Sequence, residues 1–371
     1  MIKILKILLI LTTFIHGLIH LLGFVAYWPL ANVAQLPYKT TLLGGRLDLD
    51  ETGMQVYSLL WLLAALGFVI AAVGLALGKP FWAPLMLGTV LLSLVICALD
   101  WSAAYLGVLV DLALLLVLGV VFGLRVQPPP LPAYPADSGS VGAVPTPAGL
   151  PKPVERFYHH TFGQEIPVYH SAVFTGRGSL RFMGVTFPAR LRFTHIAGQG
   201  YRHYIETTFY GWPVLKVNEH YLEGHSRLEL PFGVVENDPG VDSAANQGLW
   251  AETAAYPSVF LTDPRVRWEP VDDTTARLYV PFGESEQVFT VQFDPQSGDL
   301  VHIETLRYRD TKVGKLRWWG DLTPGERLGE ETGPLVFRVT WEDEGNPWLI
   351  YRVEDVVFNS DVSTYICQTG P

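Results

Sequence analysis

Two hydrophobic patterns divide the chain. Before Arg125 the apolar residues run almost without interruption, and beyond Val154 they alternate with polar ones. A helix that crosses a bilayer needs ~20 mostly apolar residues. Four segments meet that requirement: residues 4–26, 56–77, 81–99 and 103–124. The first follows Lys3 and Lys6 in the manner of a signal peptide. Its apolar run is too long for one, however, and no small-x-small cleavage site follows, so it reads as a retained anchor.

The second pattern has a period of two, the signature of half-buried strands. Val185, Phe187, Ala189, Leu191 and Phe193 alternate with Thr186, Pro188, Arg190 and Arg192. Ala276, Leu278, Val280 and Phe282 repeat the pattern, as do Phe289, Val291 and Phe293, and Leu335, Phe337, Val339 and Trp341. Further strands are expected over residues 168–175, 201–210, 214–223, 227–231, 300–309, 314–319 and 348–358. Turn signals separate them, among them Ala197-Gly198-Gln199-Gly200 and Asp294-Pro295-Gln296-Ser297-Gly298. Gly176-Arg177-Gly178 also reads as a turn. Helices are expected over 154–162 and 243–261. About ten strands in one sheet must curl, split or close. The expected fold is a membrane α-helical bundle followed by a soluble, mostly-β (α+β) domain. That domain would be a curved antiparallel sheet or half-barrel whose groove is covered by the 243–261 helix. The domain plan is residues 1–125 for the bundle, 126–152 for a linker and 153–371 for the soluble domain. The linker is rich in proline, from Pro128 to Pro153 with Ser138-Gly139-Ser140 between. It reads as an extended or disordered spacer.

Charge narrows the function. A net charge of −10 with no basic stripe excludes nucleic acid as a partner. Only 17% of residues are charged, because the apolar excess lies in the spans. Lys3, Lys6, Lys79 and Arg125 fall on one side of the four spans, Lys39 and Arg46 on the other. The positive-inside rule then places the N-terminus and the soluble domain in the cytoplasm of a multi-pass inner-membrane protein. Cys97 and Cys367 form no disulfide framework.

Polar residues inside a bilayer are costly. His16 and His20 share a helix face, Asp111 lies well inside the fourth span, and Thr89, Ser93 and Cys97 repeat every fourth residue on the third. The expected picture is a bundle with a His16/His20–Asp111–Ser93 cluster inside it. Ala104 and Gly107 would let a neighbouring helix approach. The cluster could ligate a metal or haem, or pass protons. More simply, it holds helices together, since an H-x-x-x-H pair lacks the remaining ligands of a metal site.

In the soluble half Glu252 stands out, a carboxylate on an apolar helix beside Trp250, Tyr256 and Pro257. Burial would raise its pKa or demand a cation, for which Arg307 is the choice. Trp250, Glu252, Tyr256, Arg307 and Trp319 are the candidate ligand-binding residues. His159, His160, His170, His195, His203, His220, His225 and His302 show no recognised metal spacing, so no metal and no cofactor is assigned. There is no nucleophile elbow, P-loop or dinucleotide fingerprint.

Several runs resemble an uncharacterised bacterial membrane-protein family with a C-terminal domain of unknown function. Leu150-Pro151-Lys152-Pro153-Val154-Glu155-Arg156-Phe157 is similar to its L-P-x-P-V-x-R-Y opening, with Phe157 where the pattern has Tyr. The run from Leu249 to Leu261 is similar to its L-A-E-x-x-x-x-P-S-x-L helix. Leu306-Arg307-Tyr308-Arg309, Trp318-Trp319-Gly320 and the His16–Phe24 run resemble further landmarks. The resemblance implies a shared module and transfers no catalytic residue. By analogy of fold alone, the order of strands and helices also looks like the half-barrels of lipoprotein carriers, which bind acyl chains. The expected function is a membrane-anchored domain that binds a lipid-like or other apolar ligand. The alternatives are a lipid-acting hydrolase or transferase using Glu252, and a scaffold with no ligand. The expected partners are the lipid bilayer and a lipid or apolar small molecule.

Overall fold

The computed structural model describes residues 2–136, 141–310, 314–323 and 336–370, in two compact units, Met1–Gly123 and Leu124–Pro371. Ser138-Gly139-Ser140 and Leu335 lie outside the described residues.

The first unit holds α1 (Ile2–Tyr27), α2 (Asp50–Ala76), α3 (Trp82–Leu99) and α4 (Trp101–Gly123), each long and apolar enough to cross a membrane. The α1–α2 connection carries a short hairpin, β1 (Thr41–Leu42) with β2 (Leu47–Asp48). Helix α2 begins before its apolar run because Asp50 and Glu51 favour the positive end of the helix dipole. Small residues let the helices close up. A Cβ on Gly67 would lie 2.3 Å from Thr89 Oγ1, and one on Gly107 would lie 2.9 Å from Cys97 Sγ.

In the second unit a two-stranded ribbon, β3 (Gly142–Pro145) with β4 (Glu165–Val168), flanks α5 (Lys152–Thr161). One wide sheet follows. Its first half is β5 (Ser171–Phe182), β6 (Val185–Ile196), β7 (Gly200–Phe209), β8 (Trp212–Leu222), β9 (His225–Leu230) and β10 (Gly233–Glu236). Then come α6 (Pro239–Glu252) and α7 (Val259–Thr262). The second half is β11 (Arg267–Pro270), β12 (Thr275–Phe282), β13 (Ser285–Phe293), β14 (Leu300–Asp310), β15 (Gly314–Thr323), β16 (Val336–Trp341) and β17 (Leu349–Phe358). The strands pair antiparallel in the order β10-β9-β8-β7-β6-β5-β17-β16-β15-β14-β13-β12-β11.

The sheet is curved, and α6 shows why. Tyr221 on β8 donates to Asn246 Oδ1 at 3.1 Å, while Asn246 Nδ2 donates to Gln287 Oε1 on β13 at 2.8 Å. Gln247 Nε2 donates to Thr305 Oγ1 on β14 at 3.0 Å. Strands from opposite ends of the sheet therefore meet one helix, which requires a sheet wrapped around it. Every residue from Asp242 to Ala251 is buried. The helix thus fills the concavity instead of lying across it as a cover.

Three further features differ from the sequence reading. The helix expected over 243–261 is two helices. Asp238 caps α6, accepting from the Gly240 and Val241 amides at 2.8 and 3.3 Å, and Pro239 sets its first turn. The helix ends in a 3₁₀ turn, Thr253–Ala255, because Pro257 forces Tyr256 out of the helical region, to φ −140° and ψ 65°. Gly176 and Gly178 form no turn. They lie within β5, where a Cβ would come 2.0 Å from the Arg352 carbonyl oxygen and 1.8 Å from that of Ile350. Finally, residues 128–132 of the proline-rich stretch are held to the convex face. Arg177 Nη1 donates to Pro128 O at 3.3 Å, Arg190 Nη1 to Pro129 O at 3.4 Å and Arg192 Nη2 to Pro132 O. Prolines offer carbonyls without amide protons, and guanidinium groups supply the missing donors.

Candidate functional site

The turn around Gly198, in the left-handed region at φ +63°, folds β6 back onto β7. The register pairs His195 with Tyr201 and Phe193 with His203. His195 and His203 therefore stand diagonally on one face, the concave one. The last turn of α6 brings Glu252 down between them. Glu252 Oε2 accepts from His203 Nε2 at 2.7 Å and lies 3.2 Å from His195 Nε2. The second approach lacks hydrogen-bond alignment, and neither ring nitrogen of fully buried His195 has a hydrogen-bond partner among the described residues. On its other side His203 Nδ1 faces Glu219 Oε2 on β8 at 3.4 Å, and Tyr201 donates to Glu219 Oε1 at 2.7 Å. The Tyr201 and Phe193 rings hold the His203 imidazole, with centroids at 3.9 and 4.2 Å.

Electrostatics separate the three roles. Burial alone would raise the Glu252 pKa, but the two histidines outweigh it and hold the carboxyl down to about 2. Burial likewise opposes charge on His203, yet the Glu252 and Glu219 carboxylates push it up to about 9. Desolvation wins at His195, whose pKa is lowered. At neutral pH the cluster is thus an ionised carboxylate, an imidazolium and a neutral imidazole. An acid this strong has no proton to give near neutrality, so Glu252 is poorly suited to general acid catalysis.

The expected partner of Glu252, Arg307, lies elsewhere. Its Nε donates to the Ala244 carbonyl at 3.0 Å. Ala244 stands eight residues before Glu252, ~12 Å along the helix. Arg307 also stacks on Trp318 at 4.6 Å. Trp250 and Tyr256 are buried in the main core. Trp319 points away from the helix face and donates Nε1–H to Asp321 Oδ2 at 3.1 Å. The open space lies further toward the N-terminal half of α6. A cavity of about 450 Å³ has Leu228, Leu230, Val241 and Trp341 on its walls and Arg181, Arg307 and Arg309 around them. Glu219 reaches both this cavity and His203.

In the helical unit the structure brings His16, His20, Ser93 and Asp111 together. His20 Nδ1 donates to the His16 carbonyl at 2.8 Å, leaving Nε2 to meet Ser93 Oγ at 2.8 Å. Ser93 Oγ lies 2.7 Å from Asp111 Oδ2, and His16 Nε2 lies 3.0 Å from Asp111 Oδ1. A second polar node was not anticipated. Asp100, buried between α3 and α4, accepts from the Tyr27 hydroxyl and pairs with Lys39.

The profile of a family of unknown function, DUF6544, matches residues 140–353. The chain belongs to this family. No curated protein matches this DUF6544 member. Among solved structures it is similar to a domain described as an outer membrane lipoprotein-sorting protein from Vibrio parahaemolyticus, at 12% identity and a TM-score of 0.32, covering 58% of this chain and 93% of that one. It is also similar to a DUF1329 family protein from Desulfovibrio piger, at 12% identity and 0.34, covering 54% and 90%. A third is a LolA superfamily protein from Nitrosomonas europaea, at 10% identity and 0.34, covering 58% and 96%. At such identities these are likenesses of architecture and of nothing finer.

Proposed function

We propose that the β-rich domain of this DUF6544 protein holds an anionic amphiphile, apolar chain inward and headgroup on arginine, at the cytoplasmic face of the membrane in which its four helices sit. One observation carries the reading: the cavity beside α6 combines apolar walls with a cation, Arg307, that makes no ion pair among the described residues, Glu219 acting on it only from a distance. Arg181 pairs with Glu344, and Arg309 pairs with Asp343 and Glu344. Arg307 uses only its Nε, and its two terminal nitrogens have no acceptor among the described residues. A guanidinium fork is suited to a carboxylate or phosphate. The walls Leu228, Leu230, Val235 and Trp341 suit an acyl chain, in the manner of small-molecule sites with few, placed polar groups. Next to the lining residues Arg181 and Leu230, the hairpin tips expose Met183 at 79% and Phe232 at 75%, an apolar lip for such a ligand.

The test uses the full chain in lipid nanodiscs with a phosphatidic acid carrying a photoreactive acyl chain. Cross-links should map by mass spectrometry to peptides containing Leu228, Leu230 or Trp341. Arg307→Gln should cut that labelling about tenfold while leaving labelling by a photoreactive diacylglycerol, which has no anionic headgroup, unchanged, as expected for losing one charge-assisted contact of ~1.5 kcal/mol. Cross-links confined to the four membrane helices would rule the cavity out.

A further inference from the structure

We infer that His195, His203 and Glu252 form a binding site for a divalent transition-metal ion, with zinc as the occupant, and that Glu219 supports it as a positioning residue. The inference stands apart from the amphiphile reading and rests on four observations.

The first is convergence. One donor atom from each of the three side chains lies within 4.8 Å of the others. Ligands that share a tetrahedral ion at ~2.0–2.2 Å sit ~3.4 Å apart, so the observed 2.7 and 3.2 Å around Glu252 need only small adjustments. The second is unmet demand at His195. A fully buried imidazole with no hydrogen bond on either nitrogen is costly. Its Nε2 approaches Glu252 without hydrogen-bond alignment, as expected of two donors aimed at a third point.

The third is the outer support. Histidine ligands commonly give their other ring N–H to a carboxylate, which fixes the tautomer and the ring plane. His203 has that arrangement, with Nε2 toward Glu252 and Nδ1 toward Glu219, and Glu219 is itself held by Tyr201. The fourth is donor chemistry. Two imidazoles and one carboxylate match zinc, whereas calcium and magnesium take oxygen ligands. Three protein ligands leave a coordination position for water, and the 18% exposure of the Glu252 side chain gives an ion a way in. The site would pin the β6–β7 hairpin to the end of α6.

The experiment adds ZnCl₂ or CoCl₂ to the full chain, purified in detergent and stripped with a chelator. One zinc per chain should bind, and cobalt should give visible d–d bands. His195→Gln and Glu252→Gln should abolish both signals, while His302→Gln, outside the cluster, should leave them unchanged. Glu219→Gln should weaken zinc ~10–100-fold, the usual effect of an outer-shell carboxylate, keep the cobalt spectrum, and be partly rescued by Glu219→Asp. X-ray absorption of the wild-type zinc complex covers the case in which a ligand variant fails to fold. Two imidazole nitrogens and a carboxylate oxygen at ~2.0–2.2 Å support the site; a shell of oxygens alone overturns it. It is equally overturned if no zinc is retained, if the signal survives in folded His195→Gln, or if it disappears only in His20→Gln.

Discussion

Glu206 shows how a single residue ties the convex face together. Its carboxylate is buried, accepts from Arg190 Nε at 2.6 Å and from the Tyr204 hydroxyl, and lies 3.6 Å from Lys216 Nζ. Burial would raise its pKa, but Tyr204, Arg190 and Lys216 together hold it below the ordinary 4.5. A carboxylate with a depressed folded pKa stabilises the fold above its unfolded value and loses that contribution as pH falls through the folded one. Glu206→Gln should therefore cost ~1.5–3 kcal/mol above pH ~4.5, and the gap from wild type should close on acidification. Calorimetric unfolding of both chains across pH 2–7 measures it; a gap that stays constant would mean the charge is not the cause. At this scale the candidate site was half legible. Glu252 stands out in sequence because a charge on an apolar helix needs a partner. Its partners did not stand out, because they lie on a hairpin far earlier in the chain. Their signal is subtler: seven residues separate His195 from His203 across the Ala197–Gly200 turn, a spacing that puts both on one face once the hairpin register is set.

At the scale of elements, the periodic ones are readable and the exceptions have causes. Strands β6, β12 and β13 follow their alternation because one face packs on the core. Strand β5 hides two glycines that resemble a turn but are needed where β17 crowds it beside the bulge at Val353–Asp355. Helix α6 shows no clean stripe because it is surrounded, with Asn246 and Gln247 bonded to sheet residues. The proline-rich segment misleads because composition reports that it cannot fold alone, not that it cannot dock. Leu131 is buried, Tyr134 donates to the Asp361 carbonyl at 3.0 Å, and Arg192 lies between the Tyr134 and Tyr365 rings at 5.7 and 5.4 Å. Arg192→Gln removes the charged donor to Pro132 and both ring contacts. A loss of ~1.5 kcal/mol or more in local stability raises the open population about tenfold. Elastase cleavage after Ala133, whose following residue is not proline, should accelerate by that factor while β6 keeps its amide protection. Unchanged cleavage would show that the segment is held by something other than Arg192.

For the whole molecule, the side of the membrane is directly measurable, and the two cysteines offer a reporter that needs no substitution. Cys97 is buried among the helices, against the position where a Cβ on Gly107 would sit, whereas Cys367 is exposed near the C-terminus of the β-rich unit. A membrane-impermeant maleimide should therefore modify one cysteine, and its reaction reports where that unit lies. Four spans return the chain to the side on which it began, and the Lys and Arg residues near the span ends favour an inside start by Lys3, Lys6, Lys79 and Arg125 against Lys39 and Arg46. The expected outcome is labelling in inside-out membrane vesicles and protection in intact spheroplasts until detergent is added. The opposite pattern would invert the topology. It would also move the amphiphile cavity and the proposed zinc site to the outer side, where the ligand would have to come from the outer leaflet. The charge difference that favours the inside start is small, because the rule counts only residues close to the spans, and here two cations separate the sides. Labelling decides between them without depending on either proposed ligand.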